Sequence, residues 1–167
     1  VKTISHQVKE AGGLVYVDAV QYVPHGITDV QDLGCDFLVC SPYKFFGPHQ
    51  GVLWGRYQLL DEMEAYKVRP ASDIPPGKFE SGTQAHESQA GTLGAVEYFE
   101  WIGILNSNVE DSLTPGDINR RENLTAAFKS LISYEQEICK QLIGGLQSIR
   151  RVKVHGITDP LKIDLRV

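Results

Sequence analysis

Two short apolar runs, each closed by a polar residue, constrain this chain more than any other feature. Leu14-Val15-Tyr16-Val17 ends in Asp18, and Phe37-Leu38-Val39-Cys40 ends in Ser41. Unbroken runs of this length suit strands buried on both faces of a parallel sheet, where no polar alternation is needed. Between them lies Asp29-Val30-Gln31-Asp32-Leu33-Gly34, which reads as a short helix with Asp29 as N-cap and Gly34 as terminator. Strand, helix-bearing connection and strand is the pattern of a right-handed crossover. The expected class is therefore α/β.

The rest of the chain is consistent with that class. An opening helix ends at Gly12-Gly13, with Ile4, Val8 and Ala11 on one face. Gly51-Val52-Leu53-Trp54-Gly55 reads as a third strand and residues 57–66 as a helix. Pro70 to Pro76 reads as a loop. A helix is expected around 86–105, with Leu93, Val96 and Tyr98 or Phe99 buried. A loop with Thr114-Pro115-Gly116 leads to the longest helix, about 118–149, whose apolar stripe includes Leu124, Phe128, Leu131, Ile132, Ile143 and Leu146. Arg150 and Arg151 stand at its end, where the helix dipole favours cations, and Val152-Lys153-Val154-His155 reads as a new strand.

Asp18 and Ser41 both fall where a parallel strand ends. Open α/β sheets bind ligands beyond those carboxyl ends. If the two strands are neighbours, the ends lie roughly 5 Å apart. Asp18, Gln21, Ser41, Tyr43 and Lys44 then line one rim. An amine, a carboxylate, an amide and hydroxyls together suit pyridoxal 5′-phosphate. The amine bonds the aldehyde, the carboxylate keeps the ring nitrogen protonated, and the hydroxyls hold phosphate. A lysine amine also has to lose its proton to act as a nucleophile.

The same segments carry a family resemblance. Val17-Asp18-Ala19-Val20-Gln21, Cys35-Asp36-Phe37, Ser41-Pro42-Tyr43-Lys44-Phe45-Phe46-Gly47-Pro48 and Phe79-Glu80-Ser81-Gly82-Thr83 together resemble the cysteine desulfurase / class V aminotransferase family of fold-type I pyridoxal phosphate enzymes. The resemblance runs in order through nearly the whole chain. It implies that Lys44 binds the cofactor covalently, Asp18 pairs with the ring nitrogen, Gln21 touches the phenolic oxygen and Ser41 the phosphate. It implies that Thr83 reaches the phosphate in the partner subunit of a homodimer with shared sites. One position departs from the pattern: many desulfurases carry His two residues after the matching Ser, and this chain has Tyr43, whose hydroxyl also donates to phosphate.

The resemblance further implies a mostly parallel sheet with helices. Residues 1–117 are expected to be part of the large cofactor-binding domain, 118–150 an interdomain helix, and 151–167 the start of the small C-terminal domain. Both ends of the chain look cut, so the piece itself is expected to be inactive. The implied reaction is sulfur removal from L-cysteine. The alternatives are a class V aminotransferase or related lyase and, from another class, a non-catalytic scaffold of the same fold. The cysteine and arginine that discriminate the first two are expected beyond Val167.

Composition narrows the partners. A net charge of -5 over 167 residues argues against a nucleic-acid surface, which needs clustered Lys and Arg. No apolar run reaches the roughly 18–20 residues of a membrane span. Three cysteines, Cys35, Cys40 and Cys139, form neither a disulfide framework nor a metal-ligand spacing, which fits the cytoplasm. No metal is expected, because no His pair has ligand spacing. Cys40 neighbours Ser41, but strand alternation turns it away, which favours an inert thiol. His25 and His49 are open between turn and substrate roles. Asn123-Leu124-Thr125 is read as a chance sequon inside a helix.

Overall fold

The computed structural model describes residues 1–106 and 120–166. The elements run α1 (Lys2–Glu10), β1 (Tyr16–Asp18), α2 (Val30–Leu33), β2 (Phe37–Cys40), β3 (Val52–Gly55), α3 (Tyr57–Glu62), α4 (His86–Asn106) and α5 (Arg120–Ser148). Two 3₁₀ segments, Pro42–Phe45 and Pro160–Leu165, complete the set. The Thr114-Pro115-Gly116 loop and the first residues of the long helix, 118 and 119, lie outside the described residues. Two compact units divide within α4: Val1–Pro24 with Thr28–Val96, and His25–Ile27 with Glu97–Val167.

In the first unit the sheet order is β1-β2-β3. β1 and β2 are parallel neighbours, with Tyr16 opposite Phe37, Val17 opposite Leu38 and Asp18 opposite Val39. β3 returns antiparallel to β2, from Phe37 opposite Gly55 to Cys40 opposite Val52, so the sheet of the described residues is mixed. Ala19, Cys35 and Leu38 form a buried core, packed by Val15, Val17, Val23, Val30 and Leu33. Burying a side chain such as Leu38 stabilises by about 1.5–3 kcal/mol. β1 is not buried on both faces as expected, since Tyr16 is 59 % exposed. Val15 and Val17 face the core, so the alternating Tyr16 and Asp18 point the other way.

α2 forms as its caps dictate. The Asp29 carboxylate accepts from the Gln31 and Asp32 amides at 2.9 and 3.2 Å, and Gly34 takes the left-handed φ of 66° that ends the helix. α1 is pinned to it by an ion pair between Lys2 and Asp32. The buried position of α1 is Ser5 rather than Ile4, which is exposed. The Ser5 Cβ lies 3.6 Å from where a Cβ on Gly34 would stand, so position 5 faces the end of α2. The helix expected over 57–66 stops at Glu62, with Met63 already extended.

In the second unit, α4 and α5 pack at Gly103, where an added Cβ would collide with the Asn123 carbonyl. Phe99 and Phe128 stack at 5.3 Å, and Arg120 pairs with Glu100 at 2.9 Å. The buried positions of α4 are Ala95, Phe99 and Gly103, a four-residue spacing; of the pair Tyr98 or Phe99 it is Phe99 that is buried, and Leu93 is exposed, against expectation. Asn123 is buried within α5. Ala127 and Ile143 are also buried in α5, and Ile163 is the buried residue of the second 3₁₀ segment. No strand forms at Val152–His155. A strand needs a neighbour to supply ladder hydrogen bonds; here Val152 turns back to Ile149 through a 3.1 Å bond.

Candidate functional site

The parallel pairing of β1 with β2 puts their carboxyl ends side by side. Asp18 closes β1 opposite Val39, and the Ala19 amide continues the ladder to the Val39 carbonyl at 2.9 Å. One residue beyond β2 the chain reaches Ser41, which starts the 3₁₀ turn Pro42–Phe45. Asp18, Ser41 and Lys44 therefore belong to one edge of the sheet, the edge where open α/β sheets take ligands.

Each polar group has a local reason for its place. The Asp18 Oδ1 accepts from the Val20 amide at 3.0 Å, which orients the carboxylate and starts the turn that carries Gln21. Gln21 is exposed in that turn. Lys44 sits in the 3₁₀ turn, its amide bonded to the Ser41 carbonyl at 3.0 Å. Pro42 and Phe45 are buried and clamp this turn to the protein. Phe46 closes it at φ 69°, a left-handed value costly for a non-glycine residue. Gly47 follows, and its amide reaches back to the Pro42 carbonyl at 2.9 Å. A Cβ there would come within 2.7 Å of the Pro42 side chain. The loop then rests on α4: Gln50 Oε1 accepts from Thr92 Oγ1 at 3.0 Å, and Pro48 lies 3.3 Å from the Cβ position of Gly91.

Two features were not read from the sequence. The Lys44 amine lies 4.9 Å from the centre of the Tyr43 ring, and that ring stacks on His49 at 5.1 Å with 24° between planes. The second is Asp36, almost wholly buried at the head of β2. Its carboxylate accepts the Val15 amide at 2.9 Å and faces Lys9 Nζ at 3.4 Å and Arg56 Nη2 at 3.2 Å. It thereby ties the start of β1, the end of α1 and the end of β3 together. A charged residue leading an apolar run was the signal for it.

Thr83 is exposed beside Gly82, whose φ is 86°. Among the described residues no hydrogen bond or ion pair joins Thr83 to the Asp18–Lys44 edge. The preceding segment is anchored by Lys78, whose amine donates to the Asp61 and Leu60 carbonyls at 2.6 and 3.3 Å. His25 stands in a turn, and its Nδ1 meets the Glu135 carboxylate at 2.8 Å. Burial pushes the Cys40 thiol up, and burial does the same for Cys35. Raised thiols are poor nucleophiles at neutral pH.

The fold is shared with solved cysteine desulfurases. The apo structure of one from Thermococcus onnurineus NA1 superposes with a TM-score of 0.69 at 23 % identity, over 93 % of this chain and 38 % of that one. The enzyme CsdA from Escherichia coli, in its S-sulfonic acid form, gives 0.60 at 24 %, over 89 % and 33 %. These likenesses show a shared α/β fold. Residues 1–114 match the model of the family "Aminotransferase class-V", and the chain belongs to that family. It is 35 % identical to a cysteine desulfurase of Yersinia pestis strain Pestoides F, over 95 % of this chain and 36 % of that protein. It is 28 % identical to the cysteine desulfurase of Serratia proteamaculans strain 568, over 93 % and 36 %. The chain thus spans about a third of the length of the curated relatives it matches.

Proposed function

We propose that this chain supplies the cofactor-anchoring part of a pyridoxal 5′-phosphate enzyme that removes sulfur from L-cysteine. The observation that carries the reading is the common edge: a carboxylate at the end of β1 and an amine three residues past Ser41, on adjoining parallel strands. This donor set fits the cofactor. Lys44 would bond it, Asp18 would face the ring nitrogen, Gln21 the phenolic oxygen, and Ser41 and the Tyr43 hydroxyl the phosphate. Thr83 would serve the site of a partner subunit in a homodimer. When bound, the cofactor draws electrons from the substrate's α-carbon.

The chain's own contribution is orientation and proton movement. Asp18, held by the Val20 amide, keeps its charge directed at one place. Lys44, once free of the cofactor, takes and returns the substrate's protons as base and acid. The rigid 3₁₀ turn limits where its amine can travel. Residues 1–117 would belong to the large domain, 118–150 to the interdomain helix and 151–167 to the small domain, in a cytoplasmic protein.

The names of the relatives favour desulfuration over amino transfer. A polypeptide of the relatives' length that contains this chain, incubated with L-cysteine, is expected to yield alanine and reducible sulfur without any keto-acid acceptor. Turnover that requires a keto acid would favour the aminotransferase instead.

A further inference from the structure

The Lys44 amine has a partner that its proposed bond to the cofactor does not explain. It lies 4.9 Å from the centre of the Tyr43 ring, within the range at which an ammonium is drawn to an aromatic face. Among the described residues no carboxylate pairs with it; the carboxylates that pair with lysines, such as Asp36 and Asp32, are engaged by Lys9 and Lys2. The Tyr43 ring is in turn fixed by the His49 ring, at 5.1 Å and 24°. Both rings stand on the loop that holds Lys44, and Gln50, next to His49, is tied to Thr92.

We propose that Tyr43 and His49 form a positioning pair, in which the face of the Tyr43 ring is the seat of the Lys44 amine whenever that amine is not bonded to the cofactor. This rests on the reading of Lys44 as the cofactor lysine. A lysine that must leave and return has four methylenes of freedom, and each return would otherwise start from a scattered set of rotamers. An ammonium is attracted to the ring's negative face, whereas an amine bonded to the cofactor has left it. The seat therefore holds the amine in its free state and releases it on bonding. The ring face and the hydroxyl of Tyr43 then have separate tasks: the face serves Lys44 and the hydroxyl serves phosphate. His49 acts through Tyr43, on which it stacks.

The test is made on the cofactor-free chain, with its lysines dimethylated using carbon-13 formaldehyde, which keeps their charge. Lys44 is assigned by the signal missing in Lys44→Arg. Its methyl signals should be displaced upfield by the ring current of Tyr43. Tyr43→Phe should keep the displacement, because it keeps the face. Tyr43→Leu should abolish it, His49→Ala should reduce it, and His49→Phe should restore it. A Lys44 signal at the position of the exposed lysines in the unaltered chain would overturn the proposal. So would a displacement that survives Tyr43→Leu, or one lost in Tyr43→Phe. Should Tyr43→Leu not fold, the pair His49→Ala and His49→Phe decides the matter. Failure of cofactor trapping at Lys44 would sink the cofactor reading alone, since the methyl signal is read without cofactor.

Discussion

Removing the carboxylate of Asp36 should cost stability by an amount that separates its two tasks. In Asp36→Ala the Val15 amide loses its 2.9 Å acceptor at the entrance to β1. An unmade buried hydrogen bond of this kind costs about 1–3 kcal/mol. Lys9 and Arg56 also lose their partner, but their side chains are 33 % and 47 % exposed. Water screens such pairs to about 0.2–1 kcal/mol each. The alanine variant should therefore lose about 1.4–5 kcal/mol. Asp36→Asn keeps an oxygen for Val15 and loses only the charge, so it should lose about 1 kcal/mol. Urea unfolding followed by Trp54 fluorescence in a Trp101→Phe background reports on the sheet, since Trp54 lies in β3. In 1 M salt, where the Debye length falls to about 3 Å, the asparagine deficit should shrink and the difference between the variants should persist. Equal losses for Asn and Ala would refute the reasoning, because the charge and not the hydrogen bond would then dominate.

Gly103→Ala should destabilise by about 1–3 kcal/mol or more through the collision with Asn123, outweighing a helix-propensity gain of about 1 kcal/mol. Gly144→Ala in α5, where nothing lies within 4 Å of the added Cβ, should instead stabilise by up to about 1 kcal/mol; thermal unfolding by circular dichroism reads both. Cys40 should react with an aromatic disulfide more slowly than a free thiol at pH 8, with a rate that rises through a midpoint above the ordinary thiol value, as followed by peptide mass mapping. Its folded thiol holds the proton more firmly than the unfolded one, so this group's effect on stability is absent at neutral pH and destabilising as pH rises past the unfolded thiol value.

What the sequence made legible was what local chemistry decides. Asp29 and Gly34 bracket α2 because a carboxylate cap and a left-handed glycine act within a few residues. The runs ending at Asp18 and Ser41 gave neighbouring parallel strands, and with them the common edge. Tertiary partners decided the rest. Val152–Val154 has strand-forming residues but no pairing neighbour among the described residues, so no strand forms. Ser5 rather than Ile4 is buried on α1 because position 5 is the one turned toward Gly34. The buried face of α4 was misjudged at Leu93, since the close approach at Gly103 sets which side is covered. At the candidate site, residue types singled out the carboxylate and the amine as candidates. The stack of Tyr43 on His49 and the three-way engagement of Asp36 were not legible, because both join residues whose contact only the folded loop creates.

The most direct measurement takes a polypeptide of the relatives' length containing this chain, adds pyridoxal 5′-phosphate, reduces with borohydride and maps the modified peptide. The account predicts a phosphopyridoxyl group on Lys44, no trapping in Lys44→Ala, and cofactor retained but spectrally shifted in Asp18→Asn. A label on another lysine, or undiminished trapping in Lys44→Ala, would contradict it.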